Sequence, residues 1–198
     1  MWQLKYKIGI TLLLILCGFS INANTQNINK DLAAFAKRAN NGSEIIFTFS
    51  ATNSKGKEIY KEAGIIKIYG NKYKLDIPDN LLILNNGVTR WIYKIEEEEL
   101  VIAANNPQEE DILENPFIIL RAGSSKIISN YTISVVKRVA EKEDSNMQGV
   151  PDKIILAAKD GSKYIIKITE FNNISNLSGA QFEFDVKKYP NAMVTDLR

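Results

Sequence analysis

The most reactive side chains are almost missing from this chain. It has no histidine and one cysteine, Cys17. Imidazole bases, Ser-His dyads and most zinc or iron sites therefore have no residues to build them. Carboxylates, lysines, tyrosines and hydroxyls remain. The densest group is Glu96 to Glu99, inside the stretch NNGVTRWIYKIEEEELVI that runs from Asn85 to Ile102. Four like charges in succession repel and favour water, which predicts a solvated hairpin tip. No phosphate-binding loop, dinucleotide fingerprint, calcium loop or HExxH pattern occurs in the sequence. The expectation is a protein that is no enzyme and uses no metal or cofactor.

The first 23 residues differ from the rest. Lys5 and Lys7 precede an apolar run, Ile8 to Leu16, too short for a bilayer span and suited to the core of a signal sequence. Ile21-Asn22-Ala23 then resembles a cleavage site. Residues 1–23 thus read as a secretory signal peptide and 24–198 as a single domain. Cys17 falls in the removed part, leaving no thiol or disulfide in the mature chain. Leu14-Ile15-Leu16-Cys17 has the outline of a lipidation site, but the large Leu16 before the cysteine disfavours one. Removing Lys5 and Lys7 takes the basic count from 25 to 23, equal to the 23 acidic residues. The formal +2 charge disappears, and no dense basic cluster points to nucleic acid.

The elements follow from periodicity. Ile28, Leu32, Phe35, Ala36 and Ala39 have helical spacing, and Asn41-Gly42 is a stop. Ile45, Phe47 and Phe49 alternate with polar residues as in a strand with one wet side. Glu58 to Tyr69, with Ile66 and Ile68 in phase, reads as a longer strand. Tyr73, Leu75 and Ile77 share one face of Lys72 to Ile77. After Leu81 to Leu84, Asn86-Gly87 predicts a type I′ hairpin. Thr89, Trp91, Tyr93 and Ile95 then share one face, with Arg90 and Lys94 on an opposite, wet face. Leu100 to Ala104 returns antiparallel.

Asn106-Pro107 and Asn115-Pro116 each place a capping residue before a first-turn proline. They predict two short helices, Pro107 to Glu114 and Pro116 to Arg121, with Gly123 ending the second. The second is apolar nearly all round, from Phe117 to Leu120, and must be covered on several sides. Strands resume at Asn130 to Arg138, Lys153 to Ala158, Ser162 to Phe171 and Gln181 to Val186. Asp160-Gly161 makes a tight hairpin, Glu141 to Gly149 a long loop, and Val194 to Leu197 a last edge strand. So many strands with an apolar face must curl. The interior could be a filled core or a ligand cavity, since Phe47, Phe49, Tyr73, Trp91, Tyr93, Phe182 and Phe184 suit either.

The order of motifs resembles the periplasmic outer-membrane lipoprotein carrier proteins, the LolA family. The resemblance runs from about Gly64 to Arg198 and also fits the helix before Gly42. It is carried by Asn86-Gly87 with Trp91-Ile92-Tyr93, by Glu99 to Ile102, and by Asn115-Pro116-Phe117 to Leu120. Asp160-Gly161, Phe171-Asn172-Asn173, Phe182-Glu183-Phe184, Tyr189-Pro190-Asn191-Ala192 and Val194 complete it. It implies a mainly β fold: an unclosed, half-open antiparallel β-barrel of ten or eleven strands, with short helices as a lid over an apolar cavity. The implied ligand-binding residues are Phe47, Phe49, Ile66, Ile68, Tyr73, Leu75, Trp91, Tyr93, Phe182 and Phe184 on the wall and Phe117 and Leu120 in the lid.

The implied activity is carriage of lipoproteins by their acyl chains across the periplasm. The implied partners are an inner-membrane lipoprotein-releasing transporter and an outer-membrane acceptor, with the carrier a monomer. One departure is visible. The best-known carriers have an arginine before a proline in an early strand, bonded to the lid, whereas Ile68-Tyr69-Gly70-Asn71 has neither. The alternatives are a non-catalytic structural or protein-interaction β domain of the cell envelope, or a lipidated outer-membrane receptor of the same fold.

Overall fold

A computed structural model describes residues 22–122, 125–138 and 145–198. The expected signal peptide, Gly123 and the start of the expected 141–149 loop lie wholly or largely outside those residues. The described part begins with helix α1 (Asn22–Ala39) and continues into β1 (Ser43–Thr52), β2 (Glu58–Tyr69), β3 (Lys72–Ile77), β4 (Leu81–Asn85), β5 (Thr89–Lys94) and β6 (Glu99–Ala104). A 3₁₀ turn (Pro116–Leu120) and the short helix α2 (Ser125–Ile128) interrupt the strands before β7 (Tyr131–Lys137), β8 (Pro151–Ala158) and β9 (Lys163–Asn173). Two further 3₁₀ turns (Gly179–Phe182 and Val186–Lys188) lead to β10 (Met193–Asp196).

The ten strands of the described residues form one sheet, in the order β10-β6-β5-β4-β3-β2-β1-β9-β8-β7. The outer strands β10 and β7 do not pair, so the barrel is open. Alternation sets the two faces. Strand β1 is buried at every second residue, and its register carries the inner face across the sheet. One row runs Phe171, Ile45, Ile66, Leu75, Ile83, Ile92 and Val101. These side chains form the main core, with Leu32 and Phe35 of α1 packed on it. Gly42 ends α1 as anticipated: its φ is +103°, and a Cβ there would stand 2.5 Å from the Ile174 carbonyl oxygen.

Several expectations need correction. Pro107 to Glu114 forms turns instead of a helix. Asn106 and Asp111 accept from the Gln108 and Leu113 N–H groups, and such local side-chain bonds compete with helix. The segment after Asn115 is a 3₁₀ turn, capped as foreseen by Asn115 Oδ1 accepting from Phe117 N at 3.1 Å. Only Gly87 of the Asn86-Gly87 pair has positive φ, so the turn is not type I′. Asn86 instead accepts from the Val88 and Thr89 N–H groups with its side chain.

Gln181 to Val186 is not a strand either. Its alternating Phe182 and Phe184 are buried, but the edge of β6 that it could have joined is occupied by β10, in parallel register. With that edge taken, the segment lies across the sheet as 3₁₀ turns. Glu96 to Glu98 form the exposed β5–β6 tip, with Glu98 at φ +49°.

Candidate functional site

The concave face and what lies on it make the site. Phe47, Phe49, Ile66, Ile68, Tyr73 and Leu75 project inward and are nearly fully buried. Their cover is α1 together with the segment from Asn105 to Arg121. Phe117 meets Phe47 edge-on, with ring centroids 4.9 Å apart, and Leu120 is buried in the same cluster. Phe35 of α1 lies 6.0 Å from Phe171, whose ring also carries the Arg38 guanidinium at 4.4 Å. The cover fits closely. The cleft between Ile66, Ile68, Tyr73, Asn115, Phe117 and Leu120 has an open volume of about 10 Å³, the scale of one water molecule.

Trp91, Tyr93 and Phe184 do not share that face. Trp91 stands opposite Leu84 and Ile102, in a row that continues through Lys74, Lys67 and Glu44 on the outside of the sheet. Together with Leu84, Tyr93, Leu100, Ile102 and Phe184 it forms a separate cluster. Tyr189 closes this cluster, 4.5 Å from Tyr93 and 4.9 Å from Phe184 between ring centroids. The cause is local. Strand β5 is buried on both faces, because the C-terminal segment covers its outer side. Alternation therefore could not tell which of its two sets points inward. Ile92 does, and so does Arg90.

Arg90 was expected on a wet face. It is buried, in line with Tyr73 and Asn85, and looks onto the cover. Facing it is Glu110, whose carboxylate is 0% exposed. Glu110 accepts from the Tyr73 hydroxyl at 3.0 Å, from Asn115 Nδ2 at 2.9 Å, and from Arg121 Nη1. Arg90 Nη1 lies 3.9 Å from Glu110 and from Glu114. Arg121 stacks over the Tyr73 ring at 4.9 Å and donates to Asn105 Oδ1 at 2.7 Å. Asn105 also accepts from Asn85 Nδ2 at 2.8 Å and donates to the Gly87 carbonyl. A buried polar network thus ties the cover (Asn105, Glu110, Asn115, Arg121) to the wall (Tyr73, Asn85, Arg90). On the wall, Arg90 of β5 is the arginine that faces the cover. No sequence period marks Glu110, because it sits in an irregular turn.

Burial pushes the Tyr73 phenol well above its ordinary value of 10.0, and the adjacent Glu110 carboxylate pushes it the same way. The folded state therefore holds this proton more tightly than the unfolded chain. That contribution to stability is complete below pH 10 and is lost as pH rises above it. Melts from neutral to strongly alkaline pH should show a steeper alkaline loss in the wild type than in Tyr73→Phe. Equal slopes would mean that the phenol ionises freely in the fold. At neutral pH the same change should cost about 1–3 kcal/mol, since it removes one donor from a buried carboxylate.

Among the described residues, no helix is long and apolar enough to cross a membrane, and no group of three or more acidic, His or Cys residues could hold a metal. No protein-family model matches the sequence. No curated protein matches it significantly. Solved structures do resemble it. An uncharacterized conserved protein from Thermus thermophilus superposes over 86% of this chain and 99% of its own, with TM-score 0.51 and 11% identity. A LolA superfamily protein from Nitrosomonas europaea covers 79% of this chain and 97% of its own, with TM-score 0.48 and 11% identity. A DUF1329 family protein from Desulfovibrio piger covers the same shares, with TM-score 0.41 and 12% identity. At such identity the likeness is one of fold.

Proposed function

We propose that this protein is a periplasmic carrier that takes lipoproteins by their acyl chains and ferries them from the inner to the outer membrane. One observation carries the reading. The apolar concave face is closed not by a second sheet but by a helix and an irregular segment, and a buried polar network holds that segment to the wall. Such a cover can leave as a unit and expose Phe47, Ile66, Ile68 and Leu75 together. The motif order that resembles the lipoprotein carriers supports it, as does the open-barrel fold. Release would come from a transporter of the inner membrane, and delivery would go to an acceptor on the outer one.

Among the described residues, the cleft under the cover holds no more than about one water molecule. Ligand cavities commonly measure about 300–1,000 Å³, far above the volume enclosed here. Loading thus requires the cover to move, and the acyl chain takes the place of its apolar side chains. Each buried methylene contributes about 0.8 kcal/mol, so about eight of them give an affinity in the tens of micromolar. That grip is loose enough to release. The protein should take up a fluorescent fatty acid or a lipopeptide in solution and should co-purify with lipid detectable by mass spectrometry. No uptake by a protein with an intact melt refutes the carrier. The filled interior favours a second reading, a non-catalytic envelope domain, and that outcome would select it.

A further inference from the structure

The described residues cover the outer face of the sheet only in part. The C-terminal segment lies over β4, β5 and β6, whereas the outer face of β7, β8, β9, β1 and β2 carries isoleucines and lysines at the surface. Registers place them. One row reads Val136, Lys153, Lys167, Thr48 and Ala63, and the next reads Ser134, Ile155, Ile165, Ser50 and Lys61. Lys163 follows beside Ala157. Two adjoining turns extend the patch, since a Cβ at Gly161 would lie 3.5 Å from Ser54. They add the exposed Lys55, Lys57 and Lys159.

Among the described residues, none of these seven lysines forms an ion pair. Among the described residues, the carboxylates bordering this face are Glu44, Glu58, Asp160 and Glu170; Glu44 is already paired with Lys67 and Asp160 is engaged by the Ser162 N–H and hydroxyl. Lys153 and Lys167 are direct cross-strand partners. Like charges so placed oppose folding, so the fold itself gives no reason for them. Between the lysines lie the half-buried Ile155 and Ile165, and Ile65 and Val136 are 38% and 40% exposed.

We propose that this lysine-isoleucine face docks the protein on an anionic phospholipid surface. Charge complementarity identifies the occupant: ammonium groups on flexible stems reach phosphates while the short apolar side chains between them settle at headgroup level. With 23 basic and 23 acidic residues in 24–198, the attraction comes from segregation of charge and not from its total. A carrier held this way would meet a membrane with its acyl-binding side turned away from the lipid.

The test is co-sedimentation of the mature chain, residues 24–198, with phosphatidylcholine vesicles, with and without phosphatidylglycerol. The wild type should bind only the vesicles with phosphatidylglycerol and should be released by salt, because exposed charges are screened. The triple change Lys61→Glu, Lys153→Glu and Lys167→Glu should weaken binding by about a hundredfold or more, at about fivefold for each lysine lost. The triple change Lys94→Glu, Lys187→Glu and Lys188→Glu alters net charge equally on other parts of the surface and should bind as the wild type does. Equal loss in both triples would reduce the effect to net charge and overturn the proposal. So would equal binding to both vesicle types, or binding to neither, which would leave an acidic protein as the partner. Fatty-acid uptake without vesicles should be unchanged in both triples, so this proposal and the carrier reading fail separately.

Discussion

Glu110→Ala should destabilise the protein by about 3–5 kcal/mol, the cost of removing one partner from a buried ion pair. The carboxylate is 0% exposed and is the common acceptor for Tyr73, Asn115 and Arg121, with Arg90 close by. Its loss removes the buried counter-charge of two guanidiniums that are each 8% exposed, leaving Arg121 its bond to Asn105 and Arg90 the half-exposed Glu114 at 3.9 Å. The damage should be local first. The segment from Asn105 to Arg121 should lose protection from hydrogen exchange and protease before the sheet does, since the ladder from β1 to β6 makes no use of Glu110. Replacing Glu110, Arg90 and Arg121 together with apolar side chains of similar volume should recover much of the loss, because no charge is then left buried. A Glu110→Ala protein that melts within about 0.5 kcal/mol of the wild type would mean that the network does not hold the cover.

Trp91→Ala should cost about 3–5 kcal/mol through the cavity it leaves, while the folded fraction takes up acyl chains normally. Trp91 is 8% exposed and packs under the C-terminal segment, on the side of the sheet away from Phe117. Its removal should loosen Phe184 and Tyr189 and free β10 from β6. Thermal melts with lipid titrations on the same protein separate the two effects. Weakened uptake with an unchanged melt would restore Trp91 to the ligand wall and contradict the register. Phe117→Ala is the counterpart: the same class of stability loss is expected there, but on the side where it must alter uptake.

Much of this protein was settled by local pattern. Alternation in Ser43–Thr52 and Lys72–Ile77 marked strands and grouped Phe47 with Phe49 and Tyr73 with Leu75, because the side-chain period of a strand is two. Gly42 and Gly161 fixed two turns, each with a positive φ. Absence of histidine excluded imidazole chemistry outright. The consecutive apolar run from Phe117 to Leu120 demanded burial on all sides, and all four side chains are buried.

Tertiary structure decided the rest. Period two says which residues share a face, not which face is inside, and in β5 both faces are buried. Only the registers of β4 and β3 and the course of the C-terminal segment sent Ile92 and Arg90 inward and Trp91 outward. Phe182 and Phe184 alternate as a strand would, but β10 had taken the edge they needed. Glu110 joins Arg121, Arg90 and Tyr73 across separations of 11, 20 and 37 residues. Nothing in a one-dimensional pattern distinguishes a carboxylate drawn inward by such partners from its solvated neighbours. The energy that buries it belongs to groups that only the closed fold brings together.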